Sequence, residues 1–183
     1  MQEVVKFHRN IFEISLFNLQ AIKRAYSDIL GLQHLVHLSI NVVDPRNEIM
    51  FLSATPNTGI NVCGTNLWRF DKSISPTLYK NNKFYFWDDC YHKKAFWDLK
   101  IAKEIVNGIR CGFIVIEKVN DYYIMYSYGL DQDSLEMREQ IISMQKYFIE
   151  MGRYCFKRVY PIYEKYDNKS NLLETIGSGL VVL

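Results

Sequence analysis

Two runs rich in β-branched and aromatic residues, Cys111–Lys118 and Tyr122–Tyr128, are separated only by Val119-Asn120-Asp121. A connection that short makes a hairpin, so the two runs pair antiparallel. The pattern recurs upstream. Val36, Leu38, Ile40 and Val42 alternate with His37, Ser39 and Asn41, the period of a half-buried strand. Asp44-Pro45-Arg46-Asn47 then supplies turn chemistry, and Ile49-Met50-Phe51-Leu52 returns as the second strand. Phe84-Tyr85-Phe86-Trp87 reads as a short extended edge. Strands that arrive as hairpins build an antiparallel sheet, here of about five strands, and helices must cover its faces.

The helices follow from three- and four-residue spacing. Phe12, Leu16, Leu19, Ile22, Tyr26 and Ile29 form one face of a single amphipathic helix over 11–30, ending near Gly31. A second begins at Lys93, with Phe96, Leu99, Ala102, Ile105/Val106 and Ile109 inward and Lys94, Asp98 and Lys103 opposite. Gly108 would end it as a left-handed cap. The last helix runs from about Gln132 to Tyr160. Its stripe of Ile141, Met144, Phe148, Met151 and Cys155, flanked by Ile142, Ile149 and Phe156, either packs on the sheet or forms part of a homodimer seam. Pro161 is expected to stop this helix, and residues 166–171 read as a linker. Between the hairpins, residues 55–83 are less regular, with a short helix expected around Asn66–Phe70.

The chain of 183 residues carries 22 Lys+Arg against 20 Asp+Glu, a formal charge of +2, with 49% apolar and 23% charged residues. Those values suit one globular domain (residues 1–165, with 166–183 as linker or tail) and argue against a disordered chain. So balanced a charge announces neither a nucleic-acid nor a membrane surface. Cys63, Cys90, Cys111 and Cys155 are scattered, with no CxxC pair, and no signal peptide opens the chain, so reduced thiols in a cytoplasmic protein are expected. Aromatic residues reach 15%, which suits a rich core or an apolar ligand cavity.

Catalytic and cofactor signatures are sparse. The nine glycines form neither GxGxxG nor GxxxxGK[ST], and Gly177-Ser178-Gly179 lies in the tail, away from any nucleophile elbow. Cys90-Tyr91-His92 brings a thiol near an imidazole in sequence, but spacing alone does not make a nucleophile–base pair, and a packed thiol is the simpler reading. Asp88-Asp89 would cap a helix beginning near Tyr91. His34 and His37 lack a third ligand, so no metal is expected. Lys146, Arg153, Lys157 and Arg158 give the last helix a positive side, expected to be solvated.

One stretch is more specific. Ala102-Lys103-Glu104-Ile105-Val106-Asn107-Gly108-Ile109-Arg110-Cys111-Gly112-Phe113-Ile114-Val115 resembles the helix-to-strand junction of autoinducer-binding domains in LuxR-type transcription regulators. Upstream, Phe84-Tyr85-Phe86-Trp87-Asp88-Asp89 is similar to that family's apolar-x-Trp-acid segment. The resemblance implies an α/β fold, an α-β-α sandwich related to PAS and GAF sensors, over roughly residues 11–160. It implies Trp87 as a wall of a ligand cavity, with Gly112 leaving room for close approach over the sheet. Two departures matter. The family carries Asp-Pro where this chain has Ser75-Pro76, and its Trp-x-x-x-Tyr pair is missing, Trp68 and Phe70 being only neighbours of that place. A hydroxyl lacks a carboxylate's charge, which points away from an acyl-homoserine lactone toward another small amphiphile, or no ligand.

The resulting expectation is a cytoplasmic, bacterial quorum-sensing type of sensor, without catalytic activity or cofactor. It would bind a small amphiphilic signal against Trp68, Ser75, Trp87 and Tyr126, with Ser39, Asn41 and His37 added if their strand face points inward, and would form a possible homodimer. No helix-turn-helix pattern follows Pro161, so direct nucleic-acid binding by these residues and membrane association are not expected. The alternative is a regulator-like interaction protein without a DNA-binding half that acts by pairing with another protein. An enzyme using Cys90 or Cys63 is the least favoured reading.

Overall fold

The computed structural model describes residues 5–81 and 83–167. In chain order these form β1 (Lys6–Phe7), α1 (Ile11–Phe17), α2 (Leu19–Tyr26), β2 (Leu35–Val43), β3 (Glu48–Ser53), α3 (Asn57–Gly64), α4 (Pro76–Asn81), β4 (Phe84–Phe86), α5 (Trp87–Cys90), α6 (Phe96–Lys103), β5 (Cys111–Val119), β6 (Tyr122–Leu130), α7 (Leu135–Ser143) and α8 (Gln145–Tyr166). Short 3₁₀ turns, among them Leu67–Phe70 and Lys72–Ile74, join them. The sheet order is β1-β3-β2-β6-β5-β4. Both expected hairpins are present, and they meet through β2 and β6, which pair antiparallel.

The sheet separates two apolar cores. Leu38, Ile40, Val42, Phe113, Val115, Tyr126 and Tyr128 face α2 and α8, packing on Ile22, Tyr26, Phe148, Cys155 and Phe156. The opposite face carries Ile114, Ile116 and Met125 and is covered by Trp87, Leu99, Val62 and Tyr79. Helices on both faces of one sheet make the expected α-β-α sandwich.

Several expectations need correction. The sheet has six strands rather than about five, and it is not wholly antiparallel, because β1 pairs parallel with β3 through Lys6 and Phe7. Two residues are too few to show any periodicity. The expected helix over 11–30 breaks at Asn18 (φ −106°, ψ 12°), whose Nδ2 donates to the Ile14 carbonyl at 2.8 Å. The break turns α1, so Ile11, Ile14 and Ser15 point inward while Phe12 and Leu16 are exposed. Strand β2 is buried on both faces, not one, and Val36 is exposed because the ladder shifts between Leu35 and His37.

The segment over 55–83 holds two helices, α3 and α4, beyond the 3₁₀ turn at Leu67–Phe70 where a short helix was expected. Asp88 and Asp89 cap nothing near Tyr91. They lie within α5, and Asp88 pairs with Arg138 at 2.9 Å, while the turn at Lys93–Ala95 is capped by His92 Nδ1 accepting from the Lys94 N–H. The last helix is two, divided at Met144, and Pro161 lies inside α8 rather than ending it. Proline removes one N–H, and burial of Val159, Tyr160 and Tyr163 under the sheet holds the helix through it. Ile141, Phe148, Met151 and Cys155 of the expected stripe are buried on the sheet as core, whereas Met144 and Ile149 are half-buried and Ile142 is 50% exposed. On the same helix Arg153 is paired with Glu117 and Glu150 and Arg158 with Asp28. Gly177-Ser178-Gly179 and most of the expected tail lie outside the described residues.

Candidate functional site

Strand register builds the floor of the site. Ser39 on β2 is paired with Ser53 on β3 and with Ser127 on β6, so three serines stand in one row across the sheet. In the next row His37 is paired with Gly129, which is paired in turn with Gly112 on β5. Strand alternation turns this whole set toward the face away from α8. Small side chains leave the floor shallow, and the layer above cannot fill the space.

Trp87 occupies the glycine end. A Cβ on Gly112 would stand 2.1 Å from the indole, so only glycine admits the ring. The indole N–H donates to Ser127 Oγ at 3.2 Å, and the ring meets His37 edge-on, centroids 5.5 Å apart. His37 Nδ1 lies 2.5 Å from Thr55 Oγ1, and Ser39 Oγ donates to Asn41 Oδ1 at 2.7 Å. Burial holds His37 down to a pKa of about 3, leaving a neutral imidazole at neutral pH.

A buried ion pair forms part of the wall. Lys103 Nζ donates to Asp71 Oδ2 at 2.7 Å, with the two residues only 8% and 6% exposed. The other carboxylate oxygen accepts the Ser73 N–H at 2.9 Å. The ammonium sits 4.6 Å from the Trp87 ring centre and 5.2 Å from that of Tyr91. Tyr91 is itself tied down, donating to Glu104 Oε1 at 2.8 Å. Removing one member of such a pair leaves an uncompensated buried charge, at a cost of about 3–5 kcal/mol.

Between floor and wall lies a cavity of about 70 Å³, closed over by α1 and α3 through Ile11, Phe12, Ile60 and Val62. It is about half the roughly 150 Å³ void that admits benzene. Its lining is unevenly exposed. The hydroxyl, imidazole and charged residues are all buried, whereas Phe12 is 37% exposed and Pro56 and Ile60 are half-buried. The more exposed part of the lining is thus apolar, while Ile11, Val62, Ile74 and Ile114 are buried together with the polar groups.

Of the residues expected at a site, Trp87, Ser39, Asn41 and His37 border this cavity together. The other three stand elsewhere. Trp68 packs edge-on against Phe7 at 5.2 Å, below the two-residue β1. Ser75 spends its N–H on the Lys72 carbonyl and leads into α4. Tyr126 lies on the opposite face of the sheet, its hydroxyl bonded to Glu117, because alternation along β6 sends Ser127 to the cavity instead.

Sequence reasoning missed Asp71, Lys103, Ser53 and Ser127. For Lys103 a sign was present, since it follows Phe96 by seven and Leu99 by four and so shares their face. A carboxylate does border the cavity, that of Asp71, four residues before Ser75 and bound to Lys103. Nothing local in the sequence announces that pairing.

Thiol chemistry, the least favoured reading of the sequence, is disfavoured by environment as well. Burial pushes the Cys63 thiol up to about 12 and that of Cys90 higher, opposite to what a nucleophile needs. Among the described residues no group of three or more His, Cys, Asp or Glu could hold a metal, and no helix is long and apolar enough to cross a membrane.

No family model matches the chain, and no curated protein matches it by sequence. Solved structures do match by fold. Escherichia coli SdiA aligns with a TM-score of 0.57 at 15% identity, covering 93% of this chain and 79% of that one. SdiA in complex with octanoyl-rac-glycerol aligns at 0.52 with 16% identity, covering 87% and 69%. At these identities the likeness is one of fold: the chain has the fold of SdiA.

Proposed function

We propose that this chain is a small-molecule-binding sensor domain of LuxR type, spanning residues 1–165, and that it takes an amphiphilic signal head-first into the cavity beside Trp87. One observation carries the reading: the Ser53–Ser39–Ser127 row and the Lys103–Asp71 pair are buried, while Phe12 and Ile60 form the more exposed part of the lining. A polar head satisfies the hydroxyls, and an acyl tail leaves along the apolar side between α1 and α3. The complex of SdiA with octanoyl-rac-glycerol supports this class of ligand, a polyol head on an apolar chain. Because the closed cavity is small, binding moves α1 or α3 outward, so the ligand selects a more open state.

A ligand that binds only the folded chain stabilises it by RT ln(1 + [L]/Kd). At about a hundredfold excess over Kd the melting temperature rises by about 5 °C or more. The test is a thermal-shift series with acyl-homoserine lactones, monoacylglycerols, hydroxyketones and fatty acids. Ser39→Leu, which fills the floor, is expected to abolish the response. Absence of any shift across the series overturns the sensor reading.

A second reading, pairing with another protein, is favoured by the outer side of α6 and the turn after it. There Trp97, Ile101, Ile105 and Val106 are all exposed, the last two at 56% and 60%. A second copy of the chain is the first candidate partner. Sedimentation of the wild type against Ile101→Glu tests self-pairing, and a pull-down tests other partners: a monomer that also retains no partner removes this reading.

A further inference from the structure

We infer that the Lys103–Asp71 pair sets the charge of the ligand, restricting this cavity to an uncharged head whose oxygens accept hydrogen bonds from Lys103. The inference rests on the sensor reading and adds the class of compound. Among the described lining residues the acidic and basic side chains are Asp71 and Lys103, and they are paired with each other in a salt bridge. His37 and Cys63 are both held neutral by burial. A carboxylate or ammonium head placed beside the buried pair brings a net charge against groups that offer no free counter-charge.

The donors and acceptors are also unequal. Both oxygens of Asp71 are engaged, one by Ser73 N–H and one by Lys103. Lys103 has three N–H donors, and among the described residues its only hydrogen-bond acceptor is Asp71. Its remaining donors meet the faces of Trp87 and Tyr91, weaker partners than an oxygen. An ester carbonyl, ketone or hydroxyl placed there completes the ammonium without breaking the pair, while the row of serines accepts and donates to the rest of the head. The pair thus acts as a charge filter: each member is the counter-ion that a wrongly charged ligand would need, and each is already taken.

The filter predicts reciprocal outcomes. Asp71→Asn leaves a lone buried cation and should turn the preference toward anions; Lys103→Met leaves a lone carboxylate and should turn it toward cations. The probes are octanoylglycerol and N-octanoyl homoserine lactone as neutral heads, octanoate as anion and octylamine as cation, below micellar concentrations at neutral pH. Calorimetry and thermal shift read the affinities. The wild type is expected to bind at least one neutral probe about tenfold or more tighter than either charged one. Asp71→Asn should gain octanoate, and Lys103→Met should gain octylamine. The wild-type comparison stands even if a variant fails to fold. A wild type that binds octanoate or octylamine as well as the neutral probes overturns the charge filter and leaves the sensor reading intact. So do folded variants that keep the wild-type preference. A wild type that answers to nothing in the wider series loses the sensor reading, and this inference with it.

Discussion

Gly112 shows how much one residue decides. Its α-carbon lies against the Trp87 ring, and a methyl group there would overlap two ring atoms at 2.1 Å. Gly112→Ala is therefore expected to expel the indole, break its bond to Ser127 and destabilise the fold by about 3 kcal/mol, the upper range for forced overpacking. Denaturant titration with tryptophan emission as the probe measures both effects; unchanged stability would contradict the packing described. His37 gives a pH signature. Its folded pKa of about 3 lies below the usual value near 6.5, so below that value the unfolded chain takes up a proton that the folded chain refuses. Stability contributed by neutral His37 is whole above about pH 6.5 and is lost as pH falls toward 3, on the order of 4 kcal/mol in total. His37→Gln should flatten that part of the acid-unfolding curve. The imidazole was legible as a candidate from strand alternation; its neutrality was not, because it comes from the second layer closing over it.

At the scale of elements, the strands were the readable part. Runs of β-branched and aromatic residues bounded by short turns mark strands even where both faces are buried, so both hairpins and the β4 edge could be placed from residue types alone. Helix ends were harder to place. Asn18 and Met144 break helices whose apolar spacing runs on unbroken, and α8 passes through Pro161, which local chemistry says it should not. In each case tertiary packing outweighs a local preference of a few kcal/mol. Pro161 is exposed, so replacing it costs no burial. Pro161→Ala should restore the missing helical hydrogen bond and stabilise the chain by about 2 kcal/mol, after allowance for the looser unfolded chain. A lower melting temperature in that variant would show that the ring is needed where it is. Gly108, by contrast, is a helix end legible in advance: it sits at φ 69°, in the left-handed region expected of it.

For the whole molecule, the sheet divides an apolar interior from a cavity-bearing one, and the four cysteines report on both. Cys111 and Cys155 lie in the core facing α8, Cys90 in the opposite core, and Cys63 borders the cavity. Burial raises all four thiols, three of them to about 12. At neutral pH that leaves roughly a thousandfold less thiolate than a thiol of pKa 9. Alkylation of the native chain by iodoacetamide is expected to be slow at every cysteine and to become fast only on unfolding. A single thiol reacting rapidly in the native state would reopen the case for a nucleophile. The sequence by itself determined both hairpins, the β4 edge and the helical character of 11–30, 96–103 and 135–160, since alternation and turn chemistry act within a few residues. It also placed Trp87, Ser39, Asn41 and His37 at one site, three of these through their shared strand face and Trp87 through a family resemblance. Only the tertiary structure decided the rest: that Ser53 and Ser127 extend the floor, that Tyr126 faces away, and that Lys103 turns inward to meet Asp71. Those facts depend on register between strands and on helix packing, which join residues far apart in the chain, and no local pattern encodes which distant partner will satisfy a buried charge.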